Sequence, residues 1–194
     1  MKKELSELSL KELWALFPII LKEHNPKYKE WYEIEKRQLL SSINNQDIKR
    51  INHIGSSAVE GLIAKPTIDI LLEVDSTCEL TELIKTLNKN SWNLMSSEFQ
   101  PDLRLALNKG YLLEGFAEKV YHLHVRHLGD WDELYFRDYL LDHPDIAAQY
   151  GILKLRLGKE YEHNRDGYTE AKSEFIMKYT KKAKVEYAGR YIAN

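Results

Sequence analysis

The chain has 194 residues, 43% of them hydrophobic and 30% charged, a composition that is ordinary for a soluble globular protein of one domain. Its net charge of −2, from 28 basic and 30 acidic residues, excludes bulk attraction to nucleic acid or anionic lipid, so any phosphate binding has to be local. The single cysteine excludes an internal disulfide, and the longest apolar run, at 13–21, is too short to span a bilayer, so we expect a cytoplasmic protein without a membrane partner.

The first half of the chain predicts alternating helices and strands. Apolar residues at helical spacing, with prolines that end or begin a helix, predict helices over 8–17, 26–42 and 77–89. Extended patterns predict an edge strand over 18–24 and further strands over 49–55 and 67–74. The last of these, TIDILLEV, is an apolar run around one aspartate, which is typical of a central strand buried on both faces.

The second half predicts three more strands and then a change to helix. The strands are WNLMSS, DLRLALNK and KVYHLHVR, with a loop predicted over 109–119 between the last two. From Trp131 onward, helical patterns predict helices over 131–143, 144–157 and 166–184. Strands and helices in this order indicate an α+β (mixed α/β) fold with a helical C-terminal third.

A glycine-serine pair followed by a strand aspartate is the first motif with chemical content. Gly55 and Ser56 lie between a predicted strand and a short helix, where backbone N–H groups and a hydroxyl can contact an anion. Asp69, on the next predicted strand, can face the same cleft and hold a divalent ion that neutralises phosphate oxygens. The alternative is an aspartate that caps loop amides and has a structural role only.

Three segments of the chain resemble the GrpB (UPF0157-type) family of the polymerase-beta-like nucleotidyltransferase superfamily. They are HIGSSAVEGLIAKPTIDILLEV, YHLHVRHLGDWDELYFRDYLLDHPDIAAQYGILKLRL and YTEAKSEFI, at 53–74, 121–157 and 168–176. The resemblance implies a nucleotidyltransferase-like mixed sheet flanked by helices, with an NTP as substrate or ligand and Mg²⁺, Mn²⁺ or Zn²⁺ as a cofactor. It implies phosphate contacts at Gly55, Ser56 and Ser57. We therefore expect one domain over 1–194, with a helical extension at 1–16, the nucleotidyltransferase-like core at 17–126 and C-terminal helices at 127–185.

The sequence departs from the superfamily's pattern at its metal-binding acids. Active members usually carry two acids spaced by one residue on this strand, but the positions on either side of Asp69 are Thr67 and Leu71. Glu73 shares the strand face, but it is ~13 Å away at strand rise, too far to share an ion. A later strand often supplies a third acid, and here it carries His122 and His124 instead. The usual two-magnesium site is therefore incomplete.

The histidines raise a different metal hypothesis. His122 and His124 alternate on one strand face, about 7 Å apart at the backbone. If this strand lies beside the strand of Asp69, then His53, Asp69, His122 and His124 could converge on Zn²⁺, Mn²⁺ or Ni²⁺. The alternative is that one histidine donates a hydrogen bond into the cleft and the other packs nearby.

Several basic residues flank the predicted cleft elements. Candidates for contact with phosphate are Lys65, Arg104, Lys109, Arg126, Arg137 and Lys172. Arginine is suited to bidentate phosphate contact, and lysine binds phosphate as a point charge. For each residue the alternative is a solvated surface charge.

Three functions are compatible with these residues. The first is nucleotidyl transfer from an NTP to a small-molecule or protein hydroxyl, with Asp69 and His124 as catalytic residues. The second is a module that binds a nucleotide or a phosphorylated small molecule without turnover, which the missing second acid favours. The third is a metal-dependent hydrolase that uses the His/Asp set. We expect no nucleic-acid partner, and the oligomeric state is left open.

Overall fold

The computed structural model describes residues 5–192, which contain a five-stranded sheet and seven α-helices. The strands are β1 (Ile48–Ile54), β2 (Thr67–Val74), β3 (Asn93–Glu98), β4 (Arg104–Leu112) and β5 (Gly115–His127). The helices are α1 (Leu10–Leu16), α2 (Lys27–Ser42), α3 (Leu80–Lys89), α4 (Asp132–Asp142), α5 (Pro144–Glu160), α6 (Arg165–Glu170) and α7 (Ser173–Glu186). Residues 1–4 of the predicted N-terminal extension lie outside the described range.

The sheet is mixed, with strand order β1-β2-β5-β4-β3. β2 pairs antiparallel with β1 and parallel with β5, and the remaining pairs are antiparallel. In the β2–β5 register Asp69 is paired with His122, and in the β1–β2 register it is paired with Ile54. The predicted neighbourhood of the aspartate strand and the histidine strand is therefore confirmed.

Helices cover the two faces of the sheet. On one face, α2 and α3 enclose the main core, in which the alternate residues Ile68, Ile70 and Leu72 of β2 are fully buried. On the other face, Leu134 of α4 packs on Ile54 and Leu71. α4 in turn packs against α7, and the C-terminal helices form their own aromatic and aliphatic clusters. β2 is buried on both faces for this reason, as its continuous apolar pattern predicts.

The predicted α+β class with a helical C-terminal third is confirmed, and three local predictions are wrong. The predicted edge strand at 18–24 makes only an isolated bridge, from Lys22 to Ala64. The predicted loop at 109–119 is a β-hairpin in which Leu112 pairs with Gly115. The predicted helix at 166–184 is divided into α6 and α7.

None of the helices within residues 5–192 has the length and apolar character needed to cross a membrane.

Candidate functional site

A cleft of about 620 Å³ opens between the sheet and the C-terminal helices, and we call it the main cleft. Its sheet side contains Gly55, Ser56, Asp69 and His124, and its helical side contains Lys172 and apolar residues of α4, α5 and α7. The cleft forms because α4 covers the β1–β2 part of this sheet face and leaves the neighbouring histidine side chains accessible. Five of the predicted site residues on the sheet side, including Arg104 of β4, thus face one cavity.

The chain reaches the main cleft through a turn that requires glycine. Gly55 has φ 71° and ψ −172°, a region of backbone conformation that is essentially restricted to glycine. A Cβ atom at this position would lie 2.6 Å from Oδ2 of Asp69. The missing side chain therefore allows the turn and the Asp69 carboxylate to approach closely, and a 3₁₀ turn over Ser56–Ala58 follows.

Asp69 is the first member of a chain of polar contacts that runs away from the main cleft. Its Oδ1 lies 3.2 Å from Nδ1 of His122, and Nε2 of His122 lies 2.7 Å from the Tyr111 hydroxyl. Arg165 at the start of α6 donates to the same hydroxyl at 3.1 Å. Burial lowers the pKa of His122, so the ring is neutral, with Nδ1–H donating to the carboxylate and Nε2 accepting from Tyr111. Both ring nitrogens of His122 are therefore already engaged.

The carboxyl group of Asp69 is ionised. Burial alone would raise its pKa, but the neighbouring imidazoles of His122 and His124 lower the pKa well below the usual range. Nε2 of His124 lies 3.8 Å from Oδ1 of Asp69, and the His124 side chain is 30% exposed. His124 is therefore the histidine of this pair that a ligand in the main cleft can contact.

His53 and Ser57 do not belong to the main cleft. In the β1–β2 register His53 is paired with Ile70, and both face the side of the sheet opposite to Asp69. The His53 ring stacks on Tyr32 at 4.8 Å, and its Nε2 lies 3.1 Å from Oγ of buried Ser57. Burial lowers the pKa of His53 to about 4. The structure therefore does not bring His53 together with the other metal candidates, and it places Ser57 outside the main cleft.

The remaining donors fit a divalent ion poorly. Within residues 5–192 no group of three or more His, Cys, Asp or Glu side chains is placed to hold a metal ion. Asp69 is the one acid beside the two histidines, and His122 has no free nitrogen. Glu73, the other acid on β2, is fully buried and forms an ion pair with Arg50. These residues do not provide the oxygen-rich set that Mg²⁺ requires or the set of neutral nitrogen donors typical of Zn²⁺.

We call Lys65, Lys154 and Lys172 the lysine cluster, because the charge of Asp69 acts on the pKa of each. Of the three, Lys172 lines the main cleft, whereas Lys65 lines a separate small cavity beside Arg165. Lys154 of α5 is only 2% exposed, and its Nζ donates to Oγ of Ser56 at 2.9 Å and to the carbonyl of Ile63. Lys172, between α6 and α7, lines the main cleft, with its Nζ 4.1 Å from the centre of the Tyr168 ring. None of the three lysines forms an ion pair within residues 5–192.

The protonation of the lysine cluster is perturbed because it is buried and crowded. Burial, with the charges of Lys172 and Lys65, lowers the pKa of Lys154 to about 7. Burial and the charge of Arg165 lower the pKa of Lys65 to about 8, and burial and the charge of Lys65 lower that of Lys172 to about 8. In each case Asp69 acts in the opposite direction. One carboxylate therefore compensates only part of the positive charge gathered here.

The predicted arginines have different environments. Arg104 lines the main cleft, with its guanidinium 5.6 Å from the centre of the Trp131 ring. Arg126 is only 6% exposed, and its guanidinium donates to the carbonyls of Leu105 and Val125. Arg126 therefore lies outside the wall of the main cleft. The alternation of β5 does not reveal that this charged residue near the end of the strand is buried.

The two other basic candidates are engaged in structural contacts. Nζ of Lys109 lies 2.8 Å from Oε1 of Glu35 on α2, on the core side of the sheet. Arg137 lines the main cleft, but its guanidinium donates to Asp138 and to the carbonyl of His53. Neither provides a free cation for a ligand.

Sequence reasoning missed Lys154, Arg165 and Tyr111. A signal was available for Lys154, because Ala147, Tyr150, Lys154 and Leu157 form one buried stripe of α5. A lysine in such a stripe is either paired or functional. Arg165 and Tyr111 carry no comparable signal, since their importance arises from contact with His122 across the fold.

The fold and the site define a class: a mixed α+β protein whose cleft contains one ionised aspartate beside a lysine cluster, with Asp130, Asp132 and Glu133 also in the cleft wall. The chain belongs to the GrpB protein family, whose model matches residues 18–182. It is 33% identical over 161 residues to the glutamate-rich protein GrpB of Alkalihalophilus pseudofirmus, which covers 81% of this chain and 91% of that protein.

Two solved structures extend the comparison. The crystal structure of conserved protein GrpB from Enterococcus faecalis matches with a TM-score of 0.75 at 31% identity, over 87% of this chain and 99% of that one. Cid1 poly(U) polymerase matches with a TM-score of 0.48 at 14% identity, over 78% of this chain and 46% of that one. The second likeness is too low to bear on function.

Proposed function

We propose that the main cleft binds the phosphate groups of a nucleotide. The observation that carries the proposal is the lysine cluster, whose three buried or half-buried lysines form no ion pair within residues 5–192. Lys172 lines the main cleft, and Lys154 donates to Ser56 in the cleft wall. Buried cations are normally paired, because desolvation of an unpaired charge is costly. An anionic ligand would supply the missing partner for these lysines.

The shape of the cleft supports a ligand with both a charged and an apolar part. The cationic end lies at Ser56 and Lys172, and the helical wall adds Phe136, Tyr150 and Ile176. A volume of about 620 Å³ lies in the range of small-molecule and cofactor sites. Phosphates at the lysine cluster would leave the apolar wall for the nucleoside.

Nucleotidyl transfer is a second candidate, and His124 is the residue that favours it. His124 is partly exposed in the main cleft beside ionised Asp69, which is where a general base for an acceptor hydroxyl is needed. The charge that develops on the phosphates would be stabilised by Lys65 and Lys172. Formation of a nucleotidylated product from radiolabelled ATP and candidate acceptors would support transfer, and binding without product would support a binding module. The metal-dependent hydrolase hypothesis depends on four residues, of which the fold brings together Asp69, His122 and His124 but not His53.

The binding proposal is tested by calorimetric titration of ATP into the wild type and two lysine variants, each with and without Mg²⁺. Lys172→Met removes a cation from the main cleft, and Lys178→Met removes an exposed cation of α7 outside the cleft as a control. Loss of one charge-assisted contact should weaken binding by about 1.5–3 kcal/mol, or roughly ten- to hundredfold. Equal affinity of Lys172→Met and wild type, or no binding of ATP in either buffer, would overturn the proposal.

A further inference from the structure

We infer that the main cleft takes its phosphate ligand as the free anion, with the lysine cluster in place of a divalent metal ion. The inference rests on the proposed binding function and specifies the form of the ligand. Its basis is the disagreement between the donors around Asp69 and the needs of a divalent ion. Two features of the site support the inference. Donor atoms of Asp69 and His122 are already in contact with other protein groups, and the lysine cluster places positive charge near Asp69.

Part of the donor set around Asp69 is already used within the protein. Oδ1 of Asp69 is contacted by Nδ1 of His122 at 3.2 Å, and Nε2 of His122 is contacted by the Tyr111 hydroxyl at 2.7 Å. Oδ2 faces the Gly55 backbone so closely that a Cβ there would lie 2.6 Å away. A metal ion at Asp69 would have to displace the His122 proton and break the chain that ends at Arg165.

The positive charges of the lysine cluster around Asp69 oppose the binding of a metal cation there. Lys65, Lys154 and Lys172 each lose proton affinity partly through the positive charge of another basic residue nearby. A divalent ion beside Asp69 would add to this repulsion, whereas a polyphosphate would relieve it. Ammonium groups bind phosphate directly and lie where they can do so, at Ser56 and along the helical wall.

The experiment is a calorimetric titration of ATP and of inorganic tripolyphosphate into the full chain, in EDTA and in excess Mg²⁺. We expect binding in EDTA that is equal to or tighter than binding in Mg²⁺, because Mg²⁺ neutralises the ligand charge that the lysines recognise. Tighter binding in Mg²⁺ would overturn the inference while leaving the binding function intact. Failure of both ligands to bind in either buffer would overturn the binding function and this inference together.

Asp69→Asn provides a second test, because binding as a free anion and binding through a metal ion predict opposite effects of this variant. Asparagine keeps an oxygen for the His122 contact and removes the negative charge. If the ligand binds as a free anion, the variant should bind tripolyphosphate in EDTA about three- to tenfold tighter than the wild type, since a like charge has been removed. If Asp69 holds a metal ion, the variant should lose binding instead, and that loss would overturn the inference. Asp166→Asn, at an exposed acid of α6, is the control for a general change in net charge and should bind as the wild type does.

Discussion

Lys154→Met should change the pH dependence of stability in a direction that the burial of this lysine dictates. The folded-state pKa of Lys154 is lowered to about 7, and in the unfolded chain a lysine has a pKa of about 10.4. Between these values the unfolded chain binds more protons than the folded one. The contribution of this residue to stability therefore rises with pH across that range, and it is lost as pH falls through the folded-state pKa.

The magnitude follows from the difference in bound protons. At the folded-state pKa, Lys154 is half protonated in the folded chain and fully protonated in the unfolded chain. Integrated from about pH 7 to about pH 9, the wild type should gain roughly 2 kcal/mol of unfolding free energy relative to Lys154→Met. Because the side chain is 2% exposed, solvent screening reduces this value little.

Urea unfolding of wild type and variant at several pH values measures this difference. The hydrogen bonds that Lys154 makes to Ser56 and Ile63 contribute an offset, and the slope against pH isolates the ionisation. Lys159→Met, at an exposed lysine one turn further along α5, should follow the wild type at every pH. If the difference between wild type and Lys154→Met did not change with pH, Lys154 would be an ordinary charged lysine and the account of the cluster would be wrong.

Three further predictions concern the ligand, the turn and the core. Binding of tripolyphosphate at about pH 8 should take up roughly one to two protons as the lysine cluster becomes charged, because the phosphates are already ionised. Titrations in buffers of different ionisation enthalpy measure the number of protons taken up, and proton release or no change would contradict this prediction. Gly55→Ala should lower the unfolding free energy by about 2–3 kcal/mol and Gly61→Ala by about 1 kcal/mol. Both glycines have positive φ, but only a Cβ at Gly55 would clash with Asp69. Equal losses of stability in urea unfolding would refute the clash. Glu73→Gln removes the buried carboxylate from its ion pair with the half-buried Arg50 and should lower the midpoint of urea unfolding by an amount equivalent to about 3 kcal/mol. Glu82→Gln in an exposed pair should change the midpoint little, and similar effects of the two variants would show that burial is not the cause.

The sequence predicts the elements of the site better than their register. The alternation of His122 and His124 places both side chains on one strand face, and the buried pattern of β2 identifies the strand of Asp69. The position of His53 depends on how the turn after β1 aligns that strand with β2. A shift of one residue moves a side chain to the opposite face, and no local pattern specifies that shift. His53 therefore lies on the core side, although its distance along the chain from Gly55 is small.

The wrong helix boundary has a similar origin. Ala171 and Lys172 end α6 and precede α7, and both have backbone angles close to helical values. Neither residue is a proline or a glycine, so the pattern over 166–184 contains no signal for a break. The break nevertheless matters, because it places Lys172 at the wall of the main cleft.

The missing second acid and the buried lysines are two aspects of one electrostatic arrangement. With Thr67 and Leu71 on either side of Asp69, a single carboxylate faces three lysines and Arg165. Near neutral pH the fold tolerates this surplus because lysines, unlike arginine, can lose their protons when they are buried. We therefore expect the charge of the cleft to depend on its contents, since a bound anion would favour the protonated lysines. In this proposal the site would select anions through proton uptake, which a lysine cluster can provide and a ring of carboxylates cannot.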